Sequence, residues 1–190
     1  MLTTEQTKAL HSWARRAIQY GLDNTFRRLP IATGQITEPF QQIRASFVTL
    51  RNSGDLRGCV GRVDAARCLL EDVTHNSHGA AFEDPRFPHI TSDELEHLDI
   101  SISILDLPRP VQAESEQALL EQLEPGKDGL ILREGGRMAT FLPSVWGMVP
   151  QPIEFISCLK EKAGLPADYW SSTLTWEKYR TEVYEGDPQP

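Results

Sequence analysis

Asp55-Leu56-Arg57-Gly58-Cys59-Val60-Gly61-Arg62 is the stretch of sequence around which the chain is organised. It follows the apolar run Ala45-Ser46-Phe47-Val48-Thr49-Leu50, and Asn52-Ser53-Gly54-Asp55, where the two runs meet, is typical of a turn. The pattern predicts a β-hairpin whose return strand carries the motif. Because side chains alternate along a strand, we expect Arg57 and Cys59 on the same face of this hairpin.

The spacing of Arg57 and Cys59 indicates a reactive thiol. A guanidinium beside a thiol favours the thiolate, which is the nucleophilic form, and Gly58 and Gly61 leave room for a ligand or a backbone to approach. The same residues also fit a purely structural interpretation, because free cysteine is among the most buried residue types and glycine-rich strands pack tightly. From the residues alone, both interpretations stay open.

The bulk properties of the chain exclude several classes of protein. Its 190 residues are expected to form one domain, residues 1–190, or one domain with a small lobe. A formal net charge of −8 argues against nucleic-acid binding, which needs a basic surface. Three widely spaced cysteines argue against a disulfide framework. With no signal-peptide pattern and no apolar run that could span a membrane, we expect a cytoplasmic protein.

The order of predicted elements favours an α+β fold. A helix is expected at about residues 4–20, followed by the hairpin and by a second helix that Asp64 caps. Residues 99–105 alternate apolar with polar side chains, which predicts a strand with one buried face. A second hairpin over residues 130–142 and a helix over residues 152–163 come later. This order predicts a mostly antiparallel sheet with helices packed on it.

A stiff loop follows the second helix and holds two charges close together. In Asp84-Pro85-Arg86-Phe87-Pro88 the two prolines restrict the backbone to extended conformations. Asp84 and Arg86 either pair with each other or present charge to a cleft. A structural loop anchored by Phe87 is the alternative interpretation.

The second helix carries four residues of metal-ligating type on one face: Cys68, Asp72, His75 and His78. No second cluster supplies further ligands, so a polar helix face turned towards solvent is the favoured interpretation. We predict no metal and no cofactor.

Further motifs follow the first hairpin in a fixed order. They are Ala80-Ala81-Phe82-Glu83-Asp84-Pro85-Arg86-Phe87-Pro88, Glu94-Leu95, Ile102-Ser103-Ile104-Leu105, Gly126-Lys127-Asp128-Gly129-Leu130, Leu142-Pro143 and Lys162-Ala163-Gly164-Leu165-Pro166. Together with the hairpin, over about residues 40–180, they resemble the AMMECR-one domain family, whose bacterial and archaeal members are also called AmmeMemoRadiSam system protein A. The sequence departs from many members at Ser144, where they carry glutamine, and at Ser101, where they carry an acidic residue.

The resemblance implies an α+β fold with a larger and a smaller subdomain that form a cleft, and places the Arg57–Cys59 motif in that cleft. It also implies an intracellular protein that is associated with a Memo-like protein and a radical S-adenosylmethionine protein. It implies no established reaction.

Two functions are compatible with these residues. In the first, Cys59 is the nucleophile or covalent anchor of a site that binds or transforms a small anionic ligand, and Arg57 assists it. The other residues expected to contact that ligand are Gly58, Gly61, Asp84 and Arg86. The sequence places no histidine base against Cys59, so whether the protein is an enzyme stays open. In the second, the protein is a non-catalytic module that acts with the Memo-like and radical S-adenosylmethionine proteins.

Overall fold

The computed structural model of the chain describes residues 1–32, 34 and 36–186. Its elements, in chain order, are α1 (Thr4–Asp23), β1 (Ser46–Asn52), β2 (Asp55–Gly61), α2 (Leu69–Phe82), α3 (Ser92–Glu96), β3 (Leu98–Leu105), β4 (Arg109–Val111), α4 (Glu116–Leu120), β5 (Gly129–Glu134), β6 (Arg137–Phe141), a 3-10 helix (Pro143–Gly147), α5 (Pro152–Lys162), β7 (Thr175–Tyr179) and β8 (Thr181–Glu185). The strands form two four-stranded sheets, ordered β2-β1-β3-β8 and β4-β7-β5-β6. The neighbours of β1 and of β7 run antiparallel to them, so the α+β prediction is confirmed.

The chain divides into two compact units, each built on one of the sheets. The first unit comprises Met1–Leu105 and the segment from Glu182 onwards, and the second comprises Asp106–Thr181. This division agrees with the larger and smaller subdomains that the resemblance implies, whereas the cleft stays a prediction. Within the described ranges, no helix is long and apolar enough to cross a membrane.

The core of the first unit lies between its helices and one face of its sheet. α1 begins with a capping box, in which the side chain of Thr3 accepts from the backbone N–H of Gln6 and the side chain of Gln6 accepts from that of Thr3. The buried residues that α1, β1 and β3 contribute are Leu10, Ala14, Ile18, Val48, Leu50, Ile100, Ile102 and Ile104. The alternation in residues 99–105 therefore predicts the buried face of β3 correctly.

α2 is almost entirely buried, and the predicted solvent-facing polar face is wrong. The residue exposures of Asp72 and His78 are 0% and 2%. The helix also begins later than expected, because Cys68 rather than Asp64 occupies the N-cap position.

Asp72 and His78 of α2 each have hydrogen-bond partners inside the protein, through Oδ2 and Nε2. The Asp72 carboxylate accepts from the Ser46 backbone N–H at 2.9 Å, from its Oγ at 2.7 Å and from Asn76 Nδ2 at 2.9 Å. His78 Nε2 donates to the Phe26 carbonyl at 2.8 Å. Hydrogen bonds of this kind offset the cost of removing polar groups from water. The helical spacing of the sequence does not reveal that these partners exist.

The second unit contains the predicted second hairpin and the predicted helix after it. β5 and β6 pair antiparallel, and α5 begins at Pro152 and is followed by Gly164, whose φ of +74° suits a helix C-terminus. Trp146 stacks on Phe155 of α5 with ring centroids 3.8 Å apart. Pro110 lies within β4, which tolerates it because β4 is at the edge of its sheet.

Candidate functional site

A β-bulge in the first hairpin sets the position of Arg57. Leu50 pairs with Gly58 and the next residue, Arg51, pairs with Leu56, so Arg57 is the extra residue on β2. A bulge bends its strand and re-aims the side chain that it carries. The simple alternation expected from the sequence therefore does not extend through Arg57.

Arg57 binds the segment that leads into α3. Its Nε donates to Glu94 Oε1 at 2.6 Å and its Nη2 to Glu94 Oε2 at 3.1 Å, which makes a bidentate ion pair. Its Nη1 donates to the Pro88 carbonyl at 2.7 Å, and Nη2 also reaches the His89 carbonyl at 3.1 Å. The Arg57 side chain is only 13% exposed. Its hydrogen bonds are the main cause of the lowered pKa of Glu94.

Asp84 and Arg86 form a second ion pair, at the exposed edge of β2. Asp84 Oδ1 accepts from Arg86 Nε at 2.9 Å, and Oδ2 accepts from Arg86 Nη2 at 2.6 Å. Oδ2 also accepts a hydrogen bond from the backbone N–H of Cys59 at 2.9 Å. This N–H lies on the outer side of the edge strand β2, where no other strand pairs with it. The hydrogen bonds from Arg86, above all, hold the pKa of Asp84 well below its usual range. Asp84 is therefore a carboxylate throughout the physiological pH range.

Arg86 is the more exposed of the two arginines. Its side chain is 54% exposed, and Nη2 lies 3.5 Å from the Cys59 carbonyl oxygen. Its Nη1 makes no hydrogen bond within the described part of the chain. Asp84 thus fixes one side of the guanidinium and leaves the other side open to solvent.

Cys59 lies on the polar face of the first sheet, opposite the core. Its thiol is half-buried, and Sγ lies 3.4 Å from the Thr49 hydroxyl on the neighbouring strand. Thr49 pairs across the sheet with Cys59 on one side and with Ser101 on the other. Cys59, Thr49 and Ser101 therefore form a row of one thiol and two hydroxyls across three strands, which we call the Cys59 row.

The two glycines of the motif make close packing contacts. A Cβ on Gly58 would lie 2.0 Å from the Ala80 carbonyl oxygen of α2, and a Cβ on Gly61 would lie 2.3 Å from the Phe47 ring. Both positions exclude a side chain for reasons inside the first unit. Their predicted contact with a ligand stays a prediction.

The structure gives two of the histidines partners away from Cys59. His75 Nδ1 accepts from Arg28 Nη1 at 2.8 Å, and His78 bonds the Phe26 carbonyl. Burial, followed by the nearby arginine charges, lowers the pKa of His75 to about 4. Across residues 1–32, 34 and 36–186 there is no group of three or more histidine, cysteine or acidic residues arranged to hold a metal ion.

Two further residues of the site have roles that local sequence patterns do not reveal. Thr49 lies beside the thiol because of the register of the hairpin, and the apolar and turn residues alone do not determine that register. Glu94 forms a capping box with Thr91, which the local spacing does predict, but its ion pair with Arg57 joins residues 37 positions apart. Both contacts therefore depend on the tertiary structure.

Comparison with known proteins places this fold and motif in one family. The family model described as AMMECR1 matches residues 11–184, and the chain belongs to the AMMECR1 family. The family resemblance of the sequence is therefore confirmed.

The chain is similar to archaeal proteins over nearly its whole length. It is 31% identical to a protein of Methanothermobacter thermautotrophicus, in an alignment that covers 98% of this chain and 97% of that protein. It is 32% identical to protein MJ0810 of Methanocaldococcus jannaschii, covering 97% and 92%. The crystal structure of the uncharacterized protein PH0010 from Pyrococcus horikoshii matches with a TM-score of 0.89 at 26% identity, covering 99% of this chain and 95% of that one.

Proposed function

We propose that the Cys59 row binds a small anionic ligand, with the Cys59 thiol as the group that reacts with it or anchors it. The observation that carries the proposal is the open guanidinium of Arg86, 3.5 Å from the backbone carbonyl oxygen of Cys59, a half-buried residue. A guanidinium fixed on one side by a carboxylate keeps its remaining donors oriented, which suits carboxylate or phosphate groups. The hydroxyls of Thr49 and Ser101 supply further hydrogen-bond donors along the row.

In this proposal Arg86, rather than Arg57, meets the ligand. Arg57 already donates to Glu94, Pro88 and His89 and has little exposed surface. Arg57 is then a positioning residue, since it fixes the bulge that precedes Gly58 and Cys59. Asp84 is a positioning residue as well, because it orients both Arg86 and the backbone of Cys59.

The charge preference of Cys59 tests this proposal. Iodoacetate and iodoacetamide alkylate the same thiol, but only iodoacetate is an anion. The rate constant for iodoacetate divided by that for iodoacetamide therefore reports the local preference for an anion. One unit charge at about 4 Å in water is worth about 1 kcal/mol, or about fivefold in this ratio. We expect the ratio at Cys59 to exceed that at Cys68, which lies beside Glu71, and to fall about fivefold in Arg86→Gln.

Arg16→Gln is the matched control, because it removes an exposed positive charge from α1, on the opposite side of the first sheet. Its ratio at Cys59 is expected to equal that of the wild type. An unchanged ratio in Arg86→Gln, or an equal change in both rate constants, would contradict the proposal.

The partner-module hypothesis stays a prediction, and the same variants test it. If Cys59→Ser and Arg86→Gln leave both partner function and co-purification with the Memo-like or radical S-adenosylmethionine protein intact, the result favours a non-catalytic module. Intact co-purification with loss of partner function in Cys59→Ser favours the ligand site instead.

A further inference from the structure

A cavity that is separate from the Cys59 row lies beside the exposed side of α2. Its volume is about 350 Å³, within the range of small-molecule sites. The loop after α1 and the residues around the start of α2 line it: Arg28, Leu29, Ile31, Arg67, Glu71, Thr74 and His75. We call it the Arg67 cavity.

Arg67 brings a guanidinium with unused hydrogen-bond donors to this cavity. The nearest carboxylate oxygen is Asp72 Oδ1, 3.7 Å from Arg67 Nη1, beyond hydrogen-bond distance. The guanidinium makes no hydrogen bond to any residue that the structure describes, and its Nη1 is buried without a partner. Nη1 itself faces the Asp72 carboxylate, whereas the Arg67 side chain as a whole is 31% exposed, so its other nitrogens can donate to an acceptor that arrives from outside the chain.

His75 contributes an oriented N–H to the same cavity. Its Nδ1 accepts from Arg28, so the ring proton of the neutral imidazole is on Nε2. Burial and the charges of Arg28 and Arg67 lower the pKa of His75 to about 4, which keeps the ring neutral near pH 7. Its Nε2–H has no hydrogen-bond acceptor among residues 1–32, 34 and 36–186. The Nε2–H of His75 is therefore a second donor that a ligand could use, close to the charges of Arg28 and Arg67.

The remaining lining residues give the cavity a polar end and an apolar end. Arg28 adds its charge while it is held by Glu83 and by the His75 carbonyl. Leu29 and Ile31 supply apolar wall, and Glu71 is the one carboxylate among the lining residues. Glu83 and Asp72 pair with the two arginines, so a ligand is held by directed hydrogen bonds from Arg67 and His75 rather than by an excess of positive charge.

We propose that the Arg67 cavity binds the oxyanion group, carboxylate or phosphate, of a small molecule. Arg67 and the Nε2–H of His75 donate to the oxyanion, and Arg28 adds attraction. The apolar part of the molecule packs against Leu29 and Ile31. This site is independent of the Cys59 row, with which it shares no residue.

Titration with inorganic phosphate and with butyrate, at pH 7 and constant ionic strength, tests the proposal. The readout is the NMR signal of the His75 ring, which the bound oxyanion would contact. We expect saturable shifts with at least one probe. Saturation by phosphate alone identifies a phosphate group as the preferred ligand chemistry, and saturation by butyrate alone identifies a carboxylate. No saturable shift with either probe overturns the proposal.

Three variants assign the effect to the cavity. Arg67→Gln is expected to weaken binding about tenfold, because a charge-assisted hydrogen bond is lost. Glu71→Gln is expected to strengthen it about threefold, since a repelling charge is removed from an exposed side chain. Arg27→Gln, a charge loss in the same loop but outside this cavity, is the matched control and is expected to bind as the wild type does. Wild-type affinity in both Arg67→Gln and Glu71→Gln overturns the proposal even if a shift is seen.

Discussion

Gly58→Ala tests whether the glycine of the motif is required by packing. The new Cβ would lie 2.0 Å from the carbonyl oxygen of Ala80, so β2 and α2 would have to separate. Protein interiors yield little to such overlap, and overpacking costs about 1–3 kcal/mol. Alanine recovers part of this cost, about 0.5–1 kcal/mol, through its lower entropy in the unfolded chain. An overlap of 2.0 Å with a backbone atom falls at the upper end of the packing cost, so the expected net loss is about 2 kcal/mol.

Thermal unfolding measures this loss. For a chain of this length, 2 kcal/mol corresponds to a Tm about 4–8 °C lower. Gly147→Ala is the matched control, because nothing lies within 4 Å of its added Cβ, and its Tm is expected to change little.

A second variant identifies the atom responsible for the clash. The overlap involves the backbone oxygen of residue 80, so Ala80→Gly does not relieve it. We expect Gly58→Ala/Ala80→Gly to be less stable than Gly58→Ala by about 1 kcal/mol, which is the cost of a glycine within a helix. Rescue by Ala80→Gly, or wild-type stability of Gly58→Ala, would refute the packing explanation.

The remaining predictions concern the ionic groups of the first unit. Asp84→Asn lowers the free energy of unfolding by about 2 kcal/mol in urea, because an amide nitrogen in place of Oδ2 cannot accept from the Cys59 N–H and Arg86 Nη2; wild-type stability would contradict this. A double-mutant cycle of Arg57→Met and Glu94→Gln gives a coupling of about 1–2 kcal/mol, and a value near zero would show that the ion pair is not formed. The folded pKa of His75, about 4, lies below its ordinary value of 6.5, so the unfolded chain takes up the proton first. Stability contributed by His75 is therefore complete above pH 6.5 and is lost as the pH falls towards 4; an NMR titration midpoint near 6.5 would contradict this.

The sequence predicts the parts of the fold that depend on local pattern. The first hairpin, the buried face of β3, the Thr91–Glu94 capping box and the end of α5 follow from alternation, side-chain capping and glycine at positive φ. α2 could not be predicted in the same way. Its polar residues suggest a solvated face, yet Ser46 and Asn76 donate to Asp72 Oδ2 within the core, and tertiary structure brings Ser46 to it.

The sequence predicts the composition of the candidate site more fully than the roles of its residues. The motif, the loop with Asp84 and Arg86, and their closeness to Cys59 all follow from sequence and resemblance. The bulge changes the expected roles of the two arginines, because Arg57 pairs with Glu94 and Arg86 is the arginine that contacts the Cys59 backbone. A single extra residue in a strand has no periodic signature, so the sequence does not reveal it.

Protection of Cys59 by an unreactive anion is the most direct test of anion binding at the Cys59 row. Succinate, compared with uncharged succinamide at matched ionic strength, is titrated against the rate of iodoacetamide alkylation at Cys59. We expect saturable protection by succinate, little by succinamide, and loss of the difference in Arg86→Gln. Equal effects of the two compounds at Cys59, or the same succinate protection in Arg86→Gln, would contradict this expectation.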